Sequence, residues 1–172
     1  MYSFRARQVA AKLFAFVLLV FGTNAMCASE SAQEVFSTER LTLVFGPYVR
    51  HMHGGEHNDT PYLTGLEWEP TGSPVEYGAV YFKNSFYQDC LYVYVGKRWF
   101  AAETKQGLYL NLSGGPLYGY RDEYEKKIPF NHNGLGLAII PAIGYQYHRV
   151  NAQLVILGTA GLMATFGYDF PR

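Results

Sequence analysis

The sequence predicts an all-β fold: an eight-stranded antiparallel up-and-down β-barrel of the outer-membrane type, following a cleaved signal peptide. Three observations predict it. The N-terminus reads as an export signal, successive short segments alternate apolar and polar residues with a period of two, and the composition is rich in aromatics and glycine.

Arg5, Arg7 and Lys12 form a basic n-region, and Leu13 to Phe21 form an apolar run too short to cross a bilayer as a helix. Small residues follow, with cleavage expected after Ala25 or Ala28. Asn24-Ala25-Met26 makes a poor lipobox for Cys27, so lipidation is not expected. The organisation read from this is a signal peptide over 1–28, a short polar segment over 29–38 and a barrel over 39–172. Removal of the peptide at Ala28 leaves Cys90 without a partner, so hydrogen bonding rather than a disulfide must close the fold.

The composition holds 15 Tyr, 12 Phe and 2 Trp beside 18 Gly, while the mean hydropathy is −0.07. A bundle of membrane helices would be far more hydrophobic. Short strands that meet lipid with every second residue produce this mixture. Formal charge is balanced, 14 Lys and Arg against 14 Asp and Glu, and no basic stripe indicates a nucleic-acid partner.

Eight runs read as strands, bounded by turn-like stretches: Glu39–Met52, Leu63–Glu69, Glu76–Ser85, Cys90–Phe100, Leu108–Tyr120, Leu135–Arg149, Ala152–Leu157 and Met163–Phe170. In the fourth, Leu91, Val93 and Val95 share one face, and Tyr92, Tyr94, Gly96 and Arg98 the other. In the fifth, Leu108, Leu110 and Leu112 alternate with Tyr109, Asn111 and Ser113. The sixth is apolar on both faces, so its inward residues Ala138, Ile140, Ala142 and Gly144 are expected to line a dry slot able to hold an acyl chain. Pro47 and Pro141 lack an N–H for the ladder, and are expected to weaken strand pairing where a lipid tail could enter sideways.

With an even strand count, the odd strands all end at one rim, external to the cell in an outer-membrane barrel. His51 after the first strand and Ser85 after the third therefore become neighbours, with Asn84 beside the serine. A hydroxyl next to an imidazole oriented by a third group is the arrangement that acyl transfer requires. His51, His53 and His57 with Glu56 and Asp59 could also be read as metal ligands. Such spacing arises readily in a polar loop, and neither metal nor cofactor is expected.

Several segments resemble the lipid A palmitoyltransferase family, PagP. Tyr81-Phe82-Lys83-Asn84-Ser85-Phe86 is similar to that family's Phe-Lys-Asp-Ser-Trp segment, and Gly46-Pro47-Tyr48-Val49-Arg50-His51 to its first strand, which ends on histidine. Ile128-Pro129, with Ile139-Ile140-Pro141 and Ile143-Gly144-Tyr145, resembles its proline-marked sixth strand. The similarity is patchy across residues 46–170, as in diverged PagP-like proteins of bacteria and phages. The resemblance implies a barrel in the outer membrane of a Gram-negative bacterium, acting as a monomer without cofactor. Such a barrel would take a palmitoyl-type chain from a phospholipid donor to lipid A. The family's His, Asp and Ser map onto His51, Asn84 and Ser85. Asn84 departs from the pattern, because an amide carries no charge to support an imidazolium. The family's N-terminal amphipathic helix has no counterpart before residue 39. The alternative is a non-catalytic outer-membrane barrel with a structural, adhesive or receptor-blocking role, using residues 52–62 and 120–134 as binding loops.

Overall fold

The computed structural model describes residues 39–52, 58–102 and 105–170. They form eight antiparallel strands: β1 (Arg40–His51), β2 (Leu63–Glu69), β3 (Glu76–Lys83), β4 (Asp89–Phe100), β5 (Gly107–Tyr118), β6 (Leu135–Tyr147), β7 (Val150–Ile156) and β8 (Gly161–Asp169). Each pairs with its sequence neighbours, and β1 pairs with β8, so the sheet closes into a barrel. The expected all-β, eight-stranded antiparallel up-and-down barrel is the observed one. A 3₁₀ helix over Asp122–Lys127, in the long β5–β6 connection, has no counterpart in the strand reading.

The period-two pattern sets which residues enter the barrel. Leu43, Phe45, Leu66, Leu110, Leu112, Leu137, Ile139 and Leu154 lie exposed on the outer wall. Exposed tyrosines and a tryptophan sit toward the strand ends: Tyr48 and Tyr81 near the His51 rim, Tyr77, Trp99, Tyr145 and Tyr168 near the base.

Inside, two layers differ in chemistry. Toward the rim the wall is apolar, with Val44, Val49, Leu63, Val80, Leu117, Ala142, Val155 and Met163 in one cluster. Toward the base it is polar and charged. Arg98 pairs with both Glu67 and Glu76, the latter at 2.9 Å, and Arg40 lies 2.5 Å from Glu69. Asn111 donates to Glu76 (2.8 Å), Tyr94 to Glu67 (2.5 Å) and Thr42 to Asp169 (2.6 Å). Charges removed from water this far persist only when paired and hydrogen-bonded, and here each carboxylate has a cation or a donor beside it.

Each proline in a strand interior coincides with an interruption of pairing. Opposite β8, Gly46 and Pro47 together face Thr165, a β-bulge between Phe45 and Tyr48. The β6–β7 ladder begins only at Ala142, so β6 from Leu135 to Pro141 is paired to β5 alone. Between β4 and β5 the ladder skips Val93 and Tyr94, opposite Gly115 and Pro116. A side chain on Gly115 would stand 2.1 Å from the Val93 carbonyl oxygen, so only glycine fits there.

Candidate active site

The Gly46–Pro47 bulge determines where the first strand presents its last residue. Before it, Thr42, Val44 and Gly46 are the buried positions; after it the parity inverts, Val49 is buried, and Tyr48 and Arg50 are exposed. One extra residue in a strand moves every later side chain to the opposite face. His51 consequently turns toward the rim opening, its side chain only 10% exposed.

There it meets Ser85 and Asp59. Its Nε2 lies 2.6 Å from Ser85 Oγ, and its Nδ1 lies 2.8 Å from Asp59 Oδ1. A carboxylate has no proton to give, so the tautomer that satisfies both contacts carries its hydrogen on Nδ1. The Nδ1–H then donates to Asp59, and the Ser85 hydroxyl donates to Nε2. This is a Ser-His-Asp relay in geometry, assembled from the end of β1, the β1–β2 loop and the β3–β4 turn.

Asp59 itself is more than half exposed, and the backbone around it holds the loop in place. The peptide of Val49 donates to Asp59 O (2.9 Å), that of Asn58 to Ser85 O (3.0 Å), and that of Lys83 to Pro61 O (2.9 Å). Asn58 is 4% exposed, and its amide bridges the two loops: Nδ2 donates to Asn84 O (3.3 Å), while Oδ1 accepts from Thr60 N (3.1 Å). The loop that brings the carboxylate is thus tied to the turn that brings the hydroxyl.

Asn84 does something other than orient the imidazole. Its Oδ1 accepts from the peptides of Phe86 (2.9 Å) and Gln88 (3.0 Å), and its Nδ2 donates to Gln88 Oε1 (3.2 Å). These contacts fold the turn on which Ser85 sits, while the charge beside His51 comes from Asp59. Gln88 continues the chain of contacts: its Oε1 accepts from Arg121 N and its Nε2 donates to Arg121 O, docking the β5–β6 connection against the same turn. Phe86 stacks on Tyr124 at 3.7 Å from that connection. Burial raises the Tyr120 phenol above its ordinary range, so it stays protonated beside this turn.

The slot residues divide. Ala138, Ile140 and Ala142 face inward as expected and join the apolar layer, with Ala138 and Ile140 only partly buried. Pro141 faces outward, where it ends the β6–β7 ladder. Pro47 is the inserted residue of the bulge and acts on the site through the facing of His51. Gly144 does not line open space: a side chain there would stand 2.4 Å from Tyr109 Cζ, because that ring already occupies the position. His53, Glu56 and His57, the remaining members of the histidine cluster, lie outside the described residues.

No protein-family model and no curated protein matches the chain. Asn58 escapes sequence reasoning altogether, and Asp59, read there only as a possible metal ligand, is found instead beside the His51 imidazole. The run Asn58-Asp59-Thr60-Pro61 does carry a local signal, an Asx turn in which an asparagine caps the peptide two residues on. What it cannot convey is that the turn folds back onto β1.

Proposed function

We propose that this protein is an outer-membrane acyltransferase that moves an acyl chain from a phospholipid to lipid A. The observation that carries the reading is the Asp59–His51–Ser85 relay at the apolar end of a closed barrel. The outer wall supports membrane insertion: its exposed side chains are mainly aliphatic between two aromatic zones, which is how a barrel meets hydrocarbon and its interfaces. The base of the interior, filled by paired charges, leaves the rim half as the place for an apolar chain.

The chemistry follows from the relay. Ser85 Oγ attacks the ester carbonyl of the donor as His51 Nε2 takes its proton, and Asp59 steadies the imidazolium. Collapse of the tetrahedral intermediate breaks the bond to the glycerol oxygen, which leaves as a lysophospholipid alcohol with the proton from Nε2. A lipid A hydroxyl then attacks the acyl-Ser85 ester, gives its proton to His51, and carries the chain away as Ser85 is released. The stretch of β6 above Ala142, which has no partner on its β7 side, supports lateral entry of the donor tail, with Ala138 and Ile140 as its first interior contacts.

Mass spectrometry of lipid A tests the reading, comparing Gram-negative cells that express the wild type or Ser85→Ala. The expected result is a species heavier by one acyl chain that disappears in the variant. Identical lipid A in both, with the barrel folded in the outer membrane, would favour the non-catalytic alternative.

A further inference from the structure

Arg121 stands at the rim, at the start of the β5–β6 connection, and its backbone is tied to the turn that carries Ser85. Gln88 of that turn bonds both the N–H and the carbonyl of Arg121. On the other side, Gly119 N donates to Gly134 O (2.9 Å) and Asn131 Nδ2 donates to Tyr120 O (2.7 Å). The stem of the arginine packs over Gly134: a side chain there would stand 2.6 Å from Arg121 Cγ, and the backbone has a φ of +86°. Glycine fits both demands, and its bare face is what seats the stem.

The guanidinium so held is unmatched among the described residues. Its Nε is buried with no acceptor, and no described carboxylate is paired with it. Arg40 and Arg98, inside the barrel, are by contrast paired with Glu69, Glu67 and Glu76. Asp89, at the start of the adjoining strand, is already engaged, its Oδ1 accepting from Lys83 Nζ (2.7 Å) and the Tyr81 hydroxyl (2.6 Å). Asp122 and Glu123, the next two residues, are exposed and do not pair with it. A buried donor left unmatched in a tightly bonded segment calls for an explanation, and a ligand's acceptor is one. A second cation, Lys127, ends the 3₁₀ helix, with its Nζ 6.0 Å from the ring centre of Phe86, the residue after Ser85. Six residues of such a helix at ~2 Å each put the two cations about 12 Å apart, so one phosphate meets the fork of Arg121 and only the screened field of Lys127.

We propose that Arg121 is the seat for a phosphate group of a lipid substrate, the diester of the donor headgroup or a monoester of the acceptor. The inference rests on the acyltransferase reading given above. A guanidinium presents a planar fork of N–H donors that matches two phosphate oxygens at once, which an ammonium does not. Both lipids of that reaction carry phosphate on the polar side of the group that reacts, and the rim is where those heads lie. The seat is also in register with the nucleophile. Gln88, which holds Arg121, is bonded through its side chain and its peptide to Asn84, the residue before Ser85. A phosphate on Arg121 therefore sets where the rest of the lipid stands relative to the Ser85 hydroxyl.

Transfer in bilayers with four substrate pairs tests the seat. The donor is dipalmitoyl phosphatidylethanolamine or dipalmitoylglycerol, and the acceptor is lipid A or lipid A stripped of its phosphates. Arg121→Gln should raise KM for the lipid whose phosphate it holds by about tenfold or more with kcat nearly kept, the scale of one lost charge-assisted contact. On the phosphate-free form of that lipid, wild type and Arg121→Gln should be equal, which tells donor from acceptor. Arg121→Lys keeps the charge without the fork and should fall between. Lys127→Gln, a change at an exposed position, should raise the same KM by about threefold and only at low salt. An Arg121→Gln barrel that equals the wild type with all four pairs, or loses the same factor with all four, overturns the proposal. Absence of transfer with every pair would defeat the enzyme reading instead. Binding of the same four lipids to the Ser85→Ala barrel, with and without Arg121→Gln, is therefore followed by native mass spectrometry. Tighter binding of a phosphate-bearing form that is lost with Arg121 upholds the seat, and equal binding by the two barrels refutes it.

Discussion

The carboxylate of Asp59 lies 2.8 Å from Nδ1 of His51, although the two come from a strand end and from a loop that leaves it and returns. That contact supplies the negative charge that the residue next to the serine, Asn84, cannot. Asp59→Asn keeps the shape of the side chain but removes the charge and permits the wrong tautomer. Acyl transfer should fall by about 10⁴-fold, as in other Ser-His-Asp relays, with the heat-modified electrophoretic mobility of the folded barrel unchanged. Retention of full activity would show that Asp59 has no part in the chemistry.

Asn84 should behave in the opposite way. Its side chain is buried and bonded to two peptides and one amide of its own turn, so Asn84→Ala leaves those groups unsatisfied. The expected cost is about 1–3 kcal/mol of local stability, read as faster hydrogen exchange at Phe86 and Gln88. Asn84→Asp retains the acceptor oxygen and should not restore activity to Asp59→Asn. If it did, the charge site would be the turn and not the loop.

The strand count and the meeting of His51 with Ser85 were legible because period two and strand parity are properties of the chain itself. Alternation reads Leu91, Val93 and Val95 outward and Tyr92, Tyr94 and Arg98 inward, and the barrel places them so. Three features were not legible, each for a physical reason. Asp59 reaches His51 through a loop closure whose anchors, Val49 N to Asp59 O and Asn58 N to Ser85 O, are peptide contacts indifferent to side-chain type. Gly144 is small and inward, as a slot residue should be, but the space above it belongs to Tyr109 of the preceding strand. The interior ion pairs join residues from separate strands, and no local pattern ties Arg98 to Glu76.

Those ion pairs carry a prediction about stability. Arg98 is buried against Glu67 and Glu76, and Arg98→Ala would leave two carboxylates facing each other with less compensation. A loss of about 3–5 kcal/mol is expected, measured as a lower midpoint in urea unfolding from bilayers. Activity below that midpoint should be little changed, since the site lies at the other end. A variant as stable as the wild type would mean that water or rearranged partners neutralise the pair.

The bulge at Gly46–Pro47 permits a test of what positions His51. It places two residues of β1 against Thr165 of β8, and only after it do odd-numbered positions face inward. Deleting Pro47 should let β1 pair with β8 without interruption, gaining a ladder hydrogen bond worth about 0.5–1.5 kcal/mol. The same deletion removes only the inserted residue, so Tyr48 to His51 keep their present facing and His51 still turns toward Ser85. The expected protein is a folded barrel, at least as resistant to urea as the wild type, that still transfers the acyl chain. Replacing Pro47 with Ala instead keeps the inserted residue and the inversion, so activity should persist. A folded deletion variant without activity would show that the site needs the bulge itself and not only the facing of His51.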